Sequence, residues 1–166
     1  PHWNNSVFHT PIIHNEKIYA NVGYSIVCHD LMTGEQLWRR NFINDFLFSG
    51  FIIEENKIIA MCEDTILYCL DPETGSTIWE GEGAGTSNKM SYLNGIVYFI
   101  GGSTRKLHAV DVSSGRTVWQ IDPRNLGDEY SKFGPSSVCV IEGKNGEKGK
   151  VVAFTTRYAI CYEAYK

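Results

Sequence analysis

The chain has 166 residues, 43% of them hydrophobic and 13% aromatic, which suits one domain with a sizeable core. A net charge of −4, with no Lys/Arg cluster and no aromatic-basic stripe, argues against a nucleic-acid surface. No apolar run reaches the roughly eighteen residues of a transmembrane helix, and no charged-then-apolar leader of the signal-peptide kind opens the sequence.

The first residues, Pro1 to Asn5, carry Trp3 with no hairpin before it. Ile12 to Tyr19 then reads as two β-rich runs around a polar turn, followed by Ile26 to Trp38 (IVCHDLMTGEQLW). After a connection over Arg39 to Phe46 the same order returns, with Ile52 to Ile59 as a hairpin and Ile66 to Trp79 as ILYCLDPETGSTIW. Beyond Glu80 to Lys89 it comes a third time, as Tyr92 to Tyr98 around Asn94-Gly95, a strong hairpin signal, and Leu107 to Trp119 (LHAVDVSSGRTVW). The connection Asp122 to Lys132 is the longest and most charged. A fourth unit follows, with runs at Ser136 to Ile141, Val151 to Thr155 and Tyr158 to Glu163. Cys161 and Glu163 stand where the earlier units have a small residue and an Asp, but no Gly or Trp follows.

Trp38, Trp79 and Trp119 recur 41 and 40 residues apart. A period of about forty with two hairpins per unit means four strands per repeat, the content of one propeller blade. In Asp71-Pro72-Glu73-Thr74-Gly75 the Pro suits a type I turn, the Gly supplies a left-handed residue, and the Asp can fold back onto backbone N–H groups. The strands around it are apolar with little alternation (Ile66, Leu67, Tyr68, Leu70, Ile78, Trp79), as expected of sheets stacked face to face. The expected fold is therefore an all-β propeller in a single domain, 1–166, with repeats at about 8–41, 46–82, 88–122 and 133–166. Residues 1–5 are expected to close the ring by supplying the strand the tail lacks, since closure removes exposed sheet edges. That closure could occur within one chain, between two copies sharing an eight-bladed ring, or within a longer protein.

The small-x-Asp-x-x-[Thr/Ser]-Gly-x-x-x-Trp pattern resembles the repeat of the quinoprotein-type, or PQQ-like, β-propellers. The resemblance implies that Cys28, Asp30, Gly34 and Trp38, then Cys69, Asp71, Gly75 and Trp79, then Ala109, Asp111, Gly115 and Trp119 dock successive blades, each Trp packing on its neighbour's small residue. It also implies a bacterial periplasmic or extracellular setting, whereas an odd number of unpaired cysteines points to a reducing one. Quinoprotein dehydrogenases of this kind use an adjacent cysteine pair, a catalytic Asp and calcium ligands. No Cys-Cys pair occurs here and the three motif Asp residues belong to turns. No catalytic, metal or cofactor residue is assigned, and no cofactor is expected.

Other residue types read as structural. Cys28, Cys69 and Cys161 share the slot of Ala109, where a small buried side chain suffices; Cys62 and Cys139 lie on other strands, and no zinc spacing occurs. The five histidines form no i, i+4 pair and read as filler of strands and surface. Gly81 to Gly85 lacks the following helix of a dinucleotide loop, and Asn4-Asn5-Ser6 is a glycosylation sequon by pattern. The expected function is non-enzymatic: a rigid propeller whose inter-blade loops bind a partner protein, with Arg124, Glu129, Tyr130 and Phe133 as contacts. The alternatives are a fragment of a quinoprotein or sugar-oxidising enzyme, and a sensor of a ligand or peptide. A homodimer completing a larger ring is a further expectation.

Overall fold

Four turns decide the architecture. At Asn15-Glu16, Glu55-Asn56, Asn94-Gly95 and Asn145-Gly146 both residues have positive φ, between 47° and 83°. Paired positive φ is the mirror-image turn whose twist matches two antiparallel strands. Each therefore folds its flanking runs into a hairpin, and each hairpin recruits the next run of apolar residues.

The computed structural model describes residues 9–44, 50–85, 89–126, 132–134 and 137–165. The first sheet is β1 (Ile12–His14), β2 (Lys17–Val22), β3 (Ser25–Asp30) and β4 (Gln36–Asn41). The second is β5 (Phe51–Glu54), β6 (Lys57–Met61), β7 (Ile66–Leu70) and β8 (Thr77–Glu82). The third is β9 (Ser91–Leu93), β10 (Ile96–Ile100), β11 (Leu107–Asp111) and β12 (Thr117–Ile121), followed by a 3-10 turn, η1 (Pro123–Leu126). The fourth is β13 (Cys139–Ile141), β14 (Lys150–Phe154) and β15 (Ala159–Glu163). Every sheet is an antiparallel meander in sequence order, three of four strands and the last of three among the described residues. These are the blades of an all-β, PQQ-like propeller. The strand expected from Pro1 to Asn5 lies outside the described residues.

The core lies between sheets. One cluster, with Tyr19, Ile26, Cys28, Ile58 and Leu70, joins sheets one and two. A second, with Ile59, Cys69, Val97, Phe99 and Val110, joins two and three. A third, with Tyr98, Ala109, Phe133, Val151 and Ala153, joins three and four. First strands of neighbouring blades approach one another, β1 to β5 and β9 to β13, so the blades converge there and fan apart towards their fourth strands.

That fan corrects one expectation. The run through Ile78 and Trp79 is expected to be buried on both faces, yet β8 alternates and Ile78 is 50% exposed. At the rim the Trp79 indole is what reaches the next blade, its Nε1 donating to Val112 O at 3.0 Å. A second correction concerns Cys161. It shares the slot of Cys28 and Cys69 but is exposed, as is Cys139, because no further sheet covers the far face of sheet four among the described residues.

Candidate functional site: the docking turns and the loop face

In each of the first three blades the Asp side chain organises its turn. Asp71 Oδ1 accepts from Glu73 N at 2.7 Å and Thr74 N at 3.0 Å, and Gly75 N donates to Asp71 O at 2.8 Å. Asp30 and Asp111 repeat the arrangement. The closing Gly75 and Gly115 have φ of +70° and +71°, which only Gly adopts freely. They serve packing as well. A Cβ on Gly75 would stand 2.7 Å from Trp38 Cε3, and one on Gly115 would stand 2.6 Å from Trp79 Cε3. The indoles also donate across the blade boundary, Trp38 Nε1 to Pro72 O at 2.9 Å and Trp79 Nε1 to Val112 O at 3.0 Å.

Each of these two Trp residues thus rests on the glycine of the next blade. The motif's small residue has another role: Cys28, Cys69 and Ala109 face Trp38, Trp79 and Trp119 across the strand pair of their own blade. Around Gly34, whose φ is +74°, no atom lies within 4 Å of a built Cβ. Trp119 packs with the third cluster, its ring 5.7 Å from Tyr98. These turns hold the blades in register, with Lys17–Glu73 at 2.8 Å and Tyr92 Oη donating to Glu55 at 2.7 Å as exposed accessories.

Because each meander runs antiparallel, the docking turns share one face with the hairpins at Asn15, Asn56 and Asn94. The opposite face carries the starts of the first strands, the turns between second and third strands, and the connections between blades. Among the described residues, two cavities on that second face stand out. One, of about 370 Å³, sits where the blades converge and is lined by His9, Thr10, Pro11, Ile12, Phe51, Ile52, Lys89 and Met90. The other, of about 320 Å³, lies beside η1 and is lined by Ser103, Thr104, Arg105, Asp122, Pro123, Arg124 and Lys132.

Arg124 belongs to this second cavity. Its guanidinium grips Asp122 through Nε to Oδ1 at 2.9 Å and Nη2 to Oδ2, while its side chain stays 63% exposed. Those hydrogen bonds hold the Asp122 carboxyl down to about 2, with the charge of Lys106 adding to the effect. Phe133, expected as a contact, is fully buried between sheets three and four and packs the core instead. Its aromatic character and place beside the loop suggested a partner, but its backbone bridges to Thr155. Glu129 and Tyr130 lie outside the described residues.

Two residues of this face were not singled out from sequence. Gly101 to Lys106 has the hydrogen-bond frame of a docking turn, with Arg105 N donating to Gly101 O at 2.8 Å and Gly101 N to Lys106 O at 3.0 Å. Arg105 fills the glycine slot at φ +56°. Alignment of Thr104-Arg105 with Thr74-Gly75 is the sequence signal for it. His108 is fully buried, stacked on Phe99 at 4.8 Å and bonded through Nε2 to Thr104 Oγ1 at 3.0 Å. Burial pushes it down to about 4, against the pull of Glu82. Among the cysteines, burial pushes Cys62 up to about 12 and Cys69 up to about 11, so both are protonated thiols at neutral pH. Among the described residues no three His, Cys, Asp or Glu side chains converge as metal ligands, and no helix is long and apolar enough to cross a membrane.

A four-sheet propeller with indole-on-glycine docking defines the class, and sequence comparison gives the family. The family model described as outer membrane protein assembly factor BamB, a PQQ-like repeat model, matches residues 4–81 and 22–158, so the chain belongs to that family. The outer membrane protein assembly factor BamB of Shewanella oneidensis is 26% identical over 126 residues, covering 68% of this chain and 32% of that protein. The chain therefore spans about a third of that curated relative's length. The crystal structure of BamB from Moraxella catarrhalis superposes with a TM-score of 0.67 at 18% identity, over 89% of this chain and 42% of that one. The quinohemoprotein alcohol dehydrogenase of Comamonas testosteroni gives 0.68 at 15% identity, over 90% of this chain and 29% of the other. The likeness to the dehydrogenase is one of fold, and no oxidation chemistry is carried from it to these residues.

Proposed function

We propose that this chain is a non-enzymatic assembly scaffold, a stack of docked blades whose connection face binds a partner protein. Membership of the family of the outer membrane protein assembly factor carries this reading. The division of labour between the two faces supports it. Docking turns occupy one face, where they hold one blade to the next. The other presents the ends of the blade connections and two cavities on a scaffold whose strands are fixed by three inter-sheet cores. Loops on a rigid framework are the usual carriers of binding.

The test is photo-crosslinking in the organism that makes the protein. A photoreactive phenylalanine is placed at Arg124 on the connection face or at exposed Ser113 on the docking face. The expected outcome is a discrete protein adduct from position 124 and none from position 113. Adducts of equal yield from both positions, or from 113 alone, contradict the assignment of the binding face.

A further inference from the structure

The cavity beside η1 is cationic in a chain whose net charge is −4. Arg105, Arg124 and Lys132 line it, and among the described residues Asp122 is the one carboxylate that does. Asp122 engages one edge of the Arg124 guanidinium, through Nε and Nη2. The Nη1 donors of Arg124, the whole of the Arg105 side chain and Lys132 Nζ have no hydrogen-bond partner among the described residues. A planar guanidinium can hold one carboxylate on one edge and a second on another. Ser103 and Thr104 complete the wall, but their hydroxyls are engaged, by Ala84 O at 2.9 Å and by His108 Nε2 at 3.0 Å. What the cavity offers a visitor is therefore positive charge and guanidinium N–H groups.

The backbone supplies an independent observation. The same turn frame occurs four times among the described residues, and at its left-handed position three copies carry Gly34, Gly75 and Gly115. The copy on the cavity wall carries Arg105 at φ +56°, a conformation that disfavours a side-chain-bearing residue relative to Gly. Nothing in the packing of the described residues repays that cost, since the Arg105 side chain is exposed and unpaired. Arg105 thus carries a charged side chain at the turn position where the other three copies have none, and it lines the cleft.

We propose that this cleft is a subsite for an acidic segment of the partner protein, with Arg105, Arg124 and Lys132 receiving its Asp or Glu carboxylates. The proposal rests on the protein-binding reading above and names the chemistry of its contact. Asp122 sets the geometry: it already occupies one edge of Arg124 as a carboxylate, and the incoming acid takes the remaining donors. Charge-assisted, two-pronged contacts of this kind confer specificity and a salt-dependent association rate.

The experiment uses the whole chain and a fluorescein-labelled octapeptide of alternating Gly and Asp, with its Gly/Asn counterpart as control and inorganic phosphate as competitor. Fluorescence anisotropy is read at low and at physiological salt. The Asp peptide is expected to bind at least tenfold more tightly than the Asn peptide, and more weakly as salt rises. Arg105→Gly restores the residue that the turn prefers, so it is expected to raise the melting temperature while weakening the Asp peptide about fivefold. Lys132→Ala adds a further loss. Equal binding by wild type and the Arg105→Gly/Lys132→Ala double variant overturns the proposal, as does equal binding of the two peptides. Binding of phosphate without binding of the Asp peptide also overturns it, in favour of a free-anion site. If the peptide fails while position 124 still crosslinks to a partner, the acidic subsite falls and the scaffold reading stands. If crosslinking fails as well, both fall.

Discussion

His108 shows how a single side chain on the scaffold records its surroundings. In the folded chain it is buried against Phe99, with Thr104 on Nε2, and its pKa is held at about 4, against an ordinary value of 6.5. Above about pH 6.5 the ring is neutral in both the folded and unfolded chain and contributes no pH dependence. As pH falls through that value the unfolded chain takes up a proton that the folded one refuses, so stability drops until about pH 4, where the folded ring protonates too. The total is on the order of 3 kcal/mol, since each tenfold difference in proton affinity between the two states is worth about 1.4 kcal/mol. His108→Gln keeps a polar partner for Thr104 but cannot ionise. Urea unfolding between pH 7 and pH 4 is therefore expected to show a loss in wild type that the variant lacks. Parallel curves for the two proteins would mean that His108 is solvated. None of this was legible in the sequence, where His108 reads as filler, because burial on β11 is set by sheets on both sides. Phe133 misled for the same reason: an aromatic residue beside a long charged connection looks available until it is seen packed between two sheets.

At the scale of the element, the docking turn joins local and long-range structure. The Asp, the Thr or Ser and the Gly close the hairpin, and the bare face of Gly75 or Gly115 then receives the preceding blade's Trp. Turn chemistry and the Trp period were legible because both are written in fixed spacing. The identity of the Trp's partner was not: the resemblance points to a small residue in the neighbouring blade, and the structure shows the small residue opposite its own Trp and the neighbour's Gly beneath it. Gly75→Ala is expected to combine left-handed strain with displacement of the Trp38 ring, a loss of about 3 kcal/mol or more. In a Trp38→Leu background, where the indole is gone, the same change is expected to cost only the backbone strain, about 1 kcal/mol. A chemical-denaturation cycle on the four proteins then gives a coupling of roughly 2 kcal/mol. Additive losses would mean that the ring and the glycine do not touch.

At the scale of the molecule, three apolar interfaces stacked in series carry the fold, and each sheet depends on the next for its burial. The two outermost faces show what happens where that neighbour is not among the described residues. Ile13 and Leu37 of the first sheet are 64% and 45% exposed, and Ile141 and Phe154 of the fourth are 52% and 39% exposed. Repeat number and strand order were legible from the forty-residue period; burial at the two ends was not, because the motif slot of Cys161 is the same as that of Cys69 and only the presence of a further sheet distinguishes them. The five cysteines sample this arrangement directly. Alkylation of the native protein with iodoacetamide, followed by peptide mapping over time, tests the face-to-face stacking of blades. Cys139 and Cys161 are expected to react within minutes, while Cys28, Cys62 and Cys69 stay protected until global unfolding. Modification of Cys28 and Cys69 at the rate of Cys161 would contradict the inter-blade cores on which the scaffold rests.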